Sequence, residues 1–397
     1  MQKQIDDGIG KFGIELHKNI LKHSMEVGEN ILVSPIGMYL SLALAHLATT
    51  GQTRDELKQV MGLPMDEKLV YRSHQVIGDL YRQMQHCAHS NVSVYNGLFL
   101  QTGATVKSWY LDQIQKYYDC QLTNVDFTHG DATDVINKWF ELKTGGRISH
   151  FYEHPISEEV QMIFANALTF SGMWDRQFIA EHTKTPIIKF KAENLYFRSE
   201  TFTGDDGHEM QVNMMHKTDS LLYMDMPELS FEVVGIPFKN GEHYMYVLMP
   251  HEGVHLIDMV QSMSYDIIQQ IITQSGRKTV DLKMPMMTMK DHEQMKDVLQ
   301  IMGIHKLFDS PDLGNMLTGM SLKVTQIWHD TELMMDENGI DAWAGTTQEY
   351  KIYSEHHTPD DEMKQFWVQK PFMFFIHHPS TKSILYYGSV YKVGDGN

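Results

Sequence analysis

The chain has 397 residues, 42% of them hydrophobic and 21% charged, with a formal net charge of −18, which is the make-up of a folded globular protein rather than a disordered one. That charge, with no cluster of Lys and Arg set against it, argues against a nucleic-acid partner and against a heparin-type polyanion site. Cys87 and Cys120 are the only cysteines, too few for a disulfide framework or a cysteine-rich metal site, so free thiols are expected.

The N-terminal stretch MQKQIDDGIGKFGIELHKNILKHS has acids where a signal peptide has its apolar run, which points to a cytoplasmic protein or one released by another route. Ile5 to Ser24 has helical spacing. Ser34-Pro35 then opens IGMYLSLALAHLA as a buried helix, Gly51 reads as its stop, and Thr53-Arg54-Asp55-Glu56-Leu57 starts another. Met38 to Ala48, the longest near-apolar run, falls short of the roughly 20 residues that a membrane span needs. Val92 to Leu100 alternates as a strand, beginning within the glycosylation sequon Asn91-Val92-Ser93, which carries meaning only on a secretory route. Ala132 to Lys143 is helical, and Val160 to Phe170 is apolar enough for a central strand. ENLYFRS at 193–199 matches a protease-cleavage linker by coincidence, since Arg198 replaces the residue that matters most. Beyond residue 200 the chain reads as strands (LSFEVVGIPF, HYMYVLM, KTVDLKMPMM, PFMFFIHH, SILYYGSV), interrupted by one helix near Glu293 to Met302. With no linker, repeat or low-complexity block, a single α+β domain over 1–397 is expected.

Two features invite a chemical reading. His251-Glu252-Gly253-Val254-His255 satisfies H-E-x-x-H, which binds zinc when both imidazoles share one helical face. Here the run follows a strand ending at Pro250 and contains a helix-weakening glycine, so a strand-to-helix loop is expected, with no metal and no cofactor. G-x-S-x-G, P-loop and dinucleotide motifs are also absent from the sequence, so nothing in it reads as an enzyme. The second feature is DENGIDAWAGTTQEYKIYSEHHTPDDEMKQFWVQ, between Met335 and Lys370, polar and rich in small residues with strands on both sides. Connections this long are usually functional. Ile340, Ala342, Ala344 and Thr346 would share one face of a strand, so this loop could also become one.

Lys370-Pro371-Phe372-Met373-Phe374-Phe375-Ile376, Asn30-Ile31-Leu32-Val33-Ser34-Pro35, Ile136-Asn137, Thr144 to Ile148, Asn166 to Phe170, Trp174 with Phe178, and Leu299 to Phe308 follow one another in the order of landmarks in a known family. Across more than 300 residues the chain resembles the serpins, the serine-protease-inhibitor family, of the inhibitory type. The resemblance implies one domain of three β-sheets surrounded by helices, with an exposed reactive-centre loop at about 337–369. It also implies a metastable suicide substrate: a protease cuts the loop, and the cut loop inserts into the main sheet while the acyl-enzyme is still attached.

On that resemblance Glu337, Gly339, Ile340, Ala342, Trp343, Ala344, Gly345, Thr346 and Thr347 form the hinge. Ile340 stands where inhibitors carry Thr or Ser, and Trp343 interrupts the small residues; these two departures leave a non-inhibitory, binding or chaperone-like member as the alternative. The family's spacing puts the scissile bond at Tyr353-Ser354, suiting a chymotrypsin-like pocket, whereas cleavage after Lys351 would suit a trypsin-like one. Ser34, Asn166 and His329 match the cluster that lets the main sheet open, Gly37 departs from a serine there, and Trp174 matches the residue at the loop's point of entry. The implied partner is a serine protease, and a monomer is expected.

Overall fold

In a computed structural model, residues 1–23, 28–128, 132–178, 198–319, 322–341 and 363–393 are described. The chain opens with α1 (Gln2–His23), β1 (Ile31–Val33), α2 (Pro35–Ala48), α3 (Gly51–Met61) and α4 (Val70–Met84). Ser34 caps α2 by accepting from Gly37 N, Pro35 takes the first helical position, and every residue of the helix is buried, so this helix lies at the centre of the molecule. It ends at Ala48, and Gly51 is not its stop: at φ 55° it makes the turn into α3.

The middle of the chain supplies β2 (Ser90–Gln101), α5 (Ser108–Tyr118), β3 (Leu122–Val125), α6 (Ala132–Lys143) and β4 (Met162–Met173). Then follow β5 (Arg198–Thr203), β6 (Glu209–Met226), β7 (Phe231–Pro237), β8 (Tyr244–Pro250), α7 (Leu256–Ser262), α8 (Tyr265–Gln274), β9 (Gly276–Pro285) and β10 (Met287–Gln294). The chain closes with α9 (Lys296–Ile301), α10 (Lys306–Asp309), β11 (Gln326–Met335), β12 (Gly339–Ile340), β13 (Lys364–Trp367), β14 (Phe372–His378) and β15 (Ser383–Val390). The expectation of one helix beyond residue 200 overlooked α7, α8 and the short α10. Ser264 caps α8 by accepting from Ile267 N, and Ile268 and Ile271 are buried on one face, so the helical signal was there to be read.

A six-stranded sheet has the order β10-β11-β12-β4-β2-β3. The other strands follow one hydrogen-bonded path from β1 to β13 with β5 beside β6, which the length of β6 divides in two. Its first part pairs with β5 and β9, and its last residues, Leu222 to Met226, pair with β7. One group is therefore β5, β6, β9 and β13, and the other β6, β7, β8, β14, β15 and β1, giving the expected three sheets. β13 claims Lys364 to Trp367 for pairing with β9, so the span free to act as a loop is shorter than 337–369.

β4 explains its own composition. Ile163, Ala165 and Ala167 belong to the cluster under α6 with Phe99, Ile136 and Phe140. Met162, Phe164 and Leu168 belong to the main core around α2. A strand covered on both faces needs apolar residues at successive positions, which is what VQMIFANALTF supplies.

Candidate functional site at the seam between β4 and β11

β4 and β11 pair directly and in parallel from Ile163 with Gln326 to Leu168 with Thr331. Beyond that point β12 lies between them: Ile340 pairs with Met335 on β11 and with Gly172 on β4, and Gly339 pairs with Met173. Ile340 is fully buried. At Gly339 a Cβ would meet Gly172 O at 2.0 Å and Met173 Cα at 2.8 Å. Backbone cannot yield there, so only glycine allows this close approach.

A tight turn at Asp336-Glu337-Asn338 joins β11 to β12. Asp336 N donates to Gly339 O (2.9 Å), while Asp336 Oδ1 accepts from Asn338 N (2.7 Å) and Gly339 N (3.1 Å). The residues following β4 clamp the turn from outside. Trp174 N donates to Asn338 O (2.9 Å), Trp174 Nε1 to Asp336 O (2.9 Å), and Phe178 N to Glu337 O (3.0 Å). The Trp174 ring stacks on Phe238 at 4.5 Å and meets the edge of Phe178 at 6.0 Å. Burial pushes the Glu337 and Asp341 carboxyls up, although Asp341 also accepts from Met334 N at 3.0 Å.

Lower on the seam, His329 and Asn166 are directly paired across β11 and β4, and Asn166 is in turn paired with Asn96 on β2. Ser34 N donates to His329 Nε2 (2.9 Å) and Gly37 N to Ser34 Oγ (3.2 Å). Asn166 Nδ2 donates to Asn96 Oδ1 (2.7 Å). Among the described residues, Asn166 Oδ1 and His329 Nδ1 are buried without hydrogen-bond partners. A Cβ on Gly37 would stand 2.2 Å from Asn166 Oδ1, so a serine at that position would have to displace the amide. The seam is also tied from below by Thr331 Oγ1 to Leu32 O (2.9 Å) and Tyr386 Oη to Leu168 O (2.7 Å).

The structure thus brings Ser34, Asn166 and His329 into one cluster, and Glu337, Gly339, Ile340 and Trp174 into another at the upper end of the same seam. Sequence reasoning missed Asn96, Thr331 and Tyr386. Asn96 was detectable, because it is the polar residue in the inward series Val92, Val94, Leu98 and Leu100 of β2. Ala342, Trp343, Ala344, Gly345, Thr346, Thr347, Lys351, Tyr353 and Ser354 lie outside the described residues. The first five residues of ENLYFRS do as well, the last two entering β5. HEGVH forms the expected loop between β8 and α7, with Gly253 at φ 80° and His255 as the residue before the helix. Cys87 and Cys120 are free thiols, and no helix among the described residues is long and apolar enough to cross a membrane.

Burial pushes His329 down to about 3, and likewise His17 and His46 to about 3. The folded pKa of each lies below the unfolded value, so their stabilising effect is complete above about pH 6.5 and is lost as pH falls toward the folded value, by about 1 kcal/mol per pH unit and group. Asp291, pushed up to about 7 by burial, opposes this, and the raised Glu337 and Asp341 carboxyls act in the same sense as Asp291. The thermal midpoint is expected to drop steadily between pH 7 and pH 5; a constant midpoint over that range would contradict the neutral, buried assignment.

A family model described as serpin (serine protease inhibitor) matches residues 7–393. Serpin B13 of Mus musculus is 25% identical over 402 aligned positions, covering 96% of this chain and 98% of that protein. Among solved structures, human thyroxine-binding globulin complexed with thyroxine superimposes with a TM-score of 0.87 at 19% identity, covering 99% of this chain and 100% of the other. The mouse protein-Z dependent protease inhibitor gives 0.85 at 19% identity, covering 99% and 98%. A thyroxine-binding protein and a protease inhibitor thus share the architecture, so the fold does not by itself select between the two activities. With three sheets, a sheet seam already carrying the start of the long connection, and a family match from residue 7 to residue 393, this chain belongs to the serpin family.

Proposed function

We propose that the chain is a suicide inhibitor of serine proteases, cut at Tyr353-Ser354 and favouring chymotrypsin-like enzymes, which traps the acyl-enzyme by drawing the cut loop into the seam between β4 and β11. The observation that carries this reading is β12. Gly339 and Ile340 pair with both flanking strands, so insertion would extend an existing strand rather than begin one. Each further residue of the loop would move one position back along both neighbours. Six residues beyond Ile340, Thr346 would fall between His329 and Asn166, which are six positions back from Met335 and Gly172. Its hydroxyl would arrive where Asn166 Oδ1 and His329 Nδ1 lack partners, and satisfying a buried polar group is favourable by about 1–3 kcal/mol. Ala342 and Ala344 would pass on the same face with little bulk, and Trp343 would turn to the α6 side.

The test is to nick the loop with a protease that forms no complex and then follow unfolding. Insertion adds a strand's hydrogen bonds and buried area, so the cleaved protein should unfold well above the intact one. Equal midpoints would remove insertion. They would favour a second reading, a binding member of the family, which has the unusual Ile340 and Trp343 in its support.

A further inference from the structure

Cys87 in the connection between α4 and β2, His243 just before β8, and His378 at the end of β14 lie far apart in the sequence but meet in space. One donor atom from each lies within 4.8 Å of the other two. We propose that Cys87, His243 and His378 form a zinc site that leaves the fourth coordination position open. The donor set is that of a Cys-His-His zinc centre, with one thiolate and two imidazoles.

One donor pair already stands at the spacing the ion needs, and the third donor lies within 4.8 Å of both. Zinc bonds of ~2.3 Å to sulfur and ~2.0–2.1 Å to nitrogen, at the tetrahedral angle, place the donors ~3.5 Å apart. Cys87 Sγ and His378 Nε2 stand 3.6 Å apart. The two rings are packed side by side with centroids 4.7 Å apart. Each ring is also oriented through its other contacts, as metal-bound histidines are: His378 Nδ1 lies 2.6 Å from Thr381 Oγ1, and His243 Nδ1 lies 3.1 Å from Ser90 Oγ. His243 Nε2 is buried and has no hydrogen-bond partner among the described residues. Glu242 accepts from Ala88 N at 2.9 Å and from His89 N at 3.1 Å, which fixes the loop carrying Cys87 and puts a negative charge near the cation. This site is separate from His251 and His255, whose loop is open to solvent.

The test uses the full chain, stripped with a chelator and titrated with Co²⁺. One equivalent is expected to produce a thiolate-to-cobalt charge-transfer band in the near ultraviolet, which Zn²⁺ then abolishes by displacement. C87S should lose the band, H378Q should weaken binding by at least the ~10–100-fold seen for changes around a metal site, and the double variant H251A/H255A should bind as the parent does. If C87S fails to fold, alkylation of the native protein replaces it, because Cys120 is only 1% exposed and Cys87 is the accessible thiol. Absence of the band in the parent, or its persistence after Cys87 is substituted or alkylated, would overturn the assignment; the Cys87–His378 contact would then be a plain hydrogen bond.

Discussion

Replacing Gly339 with alanine will expel β12 from the seam. The added methyl would lie 2.0 Å from Gly172 O and 2.8 Å from Met173 Cα, and both are backbone atoms in the middle of a sheet. Relief requires the strand to leave, which returns Ile340 to water at a loss of about 1.5–3 kcal/mol in burial alone and breaks the pairings to Met335 and Gly172. The intact variant is therefore expected to unfold several degrees below the parent when both are scanned at the same rate. The same clash persists in the inserted state, since residue 339 would still face Met173. Against a target protease, Gly339→Ala should release cleaved product where the parent forms a covalent complex. An unchanged midpoint together with undiminished complex formation would rule out the close-approach role.

Trp174→Ala should cost more, about 3–5 kcal/mol, as removal of a large buried aromatic does. Trp174 is 2% exposed; its loss opens a cavity beside Phe238 and Phe178 and leaves Asp336 O without its 2.9 Å donor. Trp174→Phe retains much of the ring packing and loses the donor, so its penalty should be nearer the ~1 kcal/mol of a single hydrogen bond. Denaturant midpoints of the two variants separate the contributions. If Phe proves as damaging as Ala, the indole hydrogen bond to Asp336 O outweighs the packing; if neither shifts the midpoint, Trp174 does not hold the turn.

Much of this was legible before any coordinates. The buried helix α2 announced itself through Ser34-Pro35 and an unbroken apolar run, and β4 through an apolar stretch that only a doubly covered strand tolerates. Ser34, Asn166 and His329 came from the family resemblance, and their contact could not be read from the sequence, because it depends on α2 lying beneath the pairing of β4 with β11. The pairing of Gly339 and Ile340 was equally hidden. Small residues in a long connection indicate that a strand could form there, but whether two of them are already in the sheet depends on how the turn at Asp336 and the clamp at Trp174 balance the rest of the loop. The cluster of Cys87, His243 and His378 had no sequence signal at all, since its members lie on three segments that only the sheet topology assembles. HEGVH, by contrast, had the local spacing of a metal motif in a backbone that could not use it.

Inhibition by insertion is tested most directly by incubating the protein with chymotrypsin, resolving the products on a denaturing gel and weighing the released peptide. The expected result is a complex that survives denaturation, together with a C-terminal fragment beginning at Ser354. A complex with trypsin and a fragment beginning after Lys351 would keep the mechanism and move the bond. Cleavage of the loop by both enzymes, with no covalent complex and no gain in the thermal stability of the cut chain, would contradict trapping by insertion.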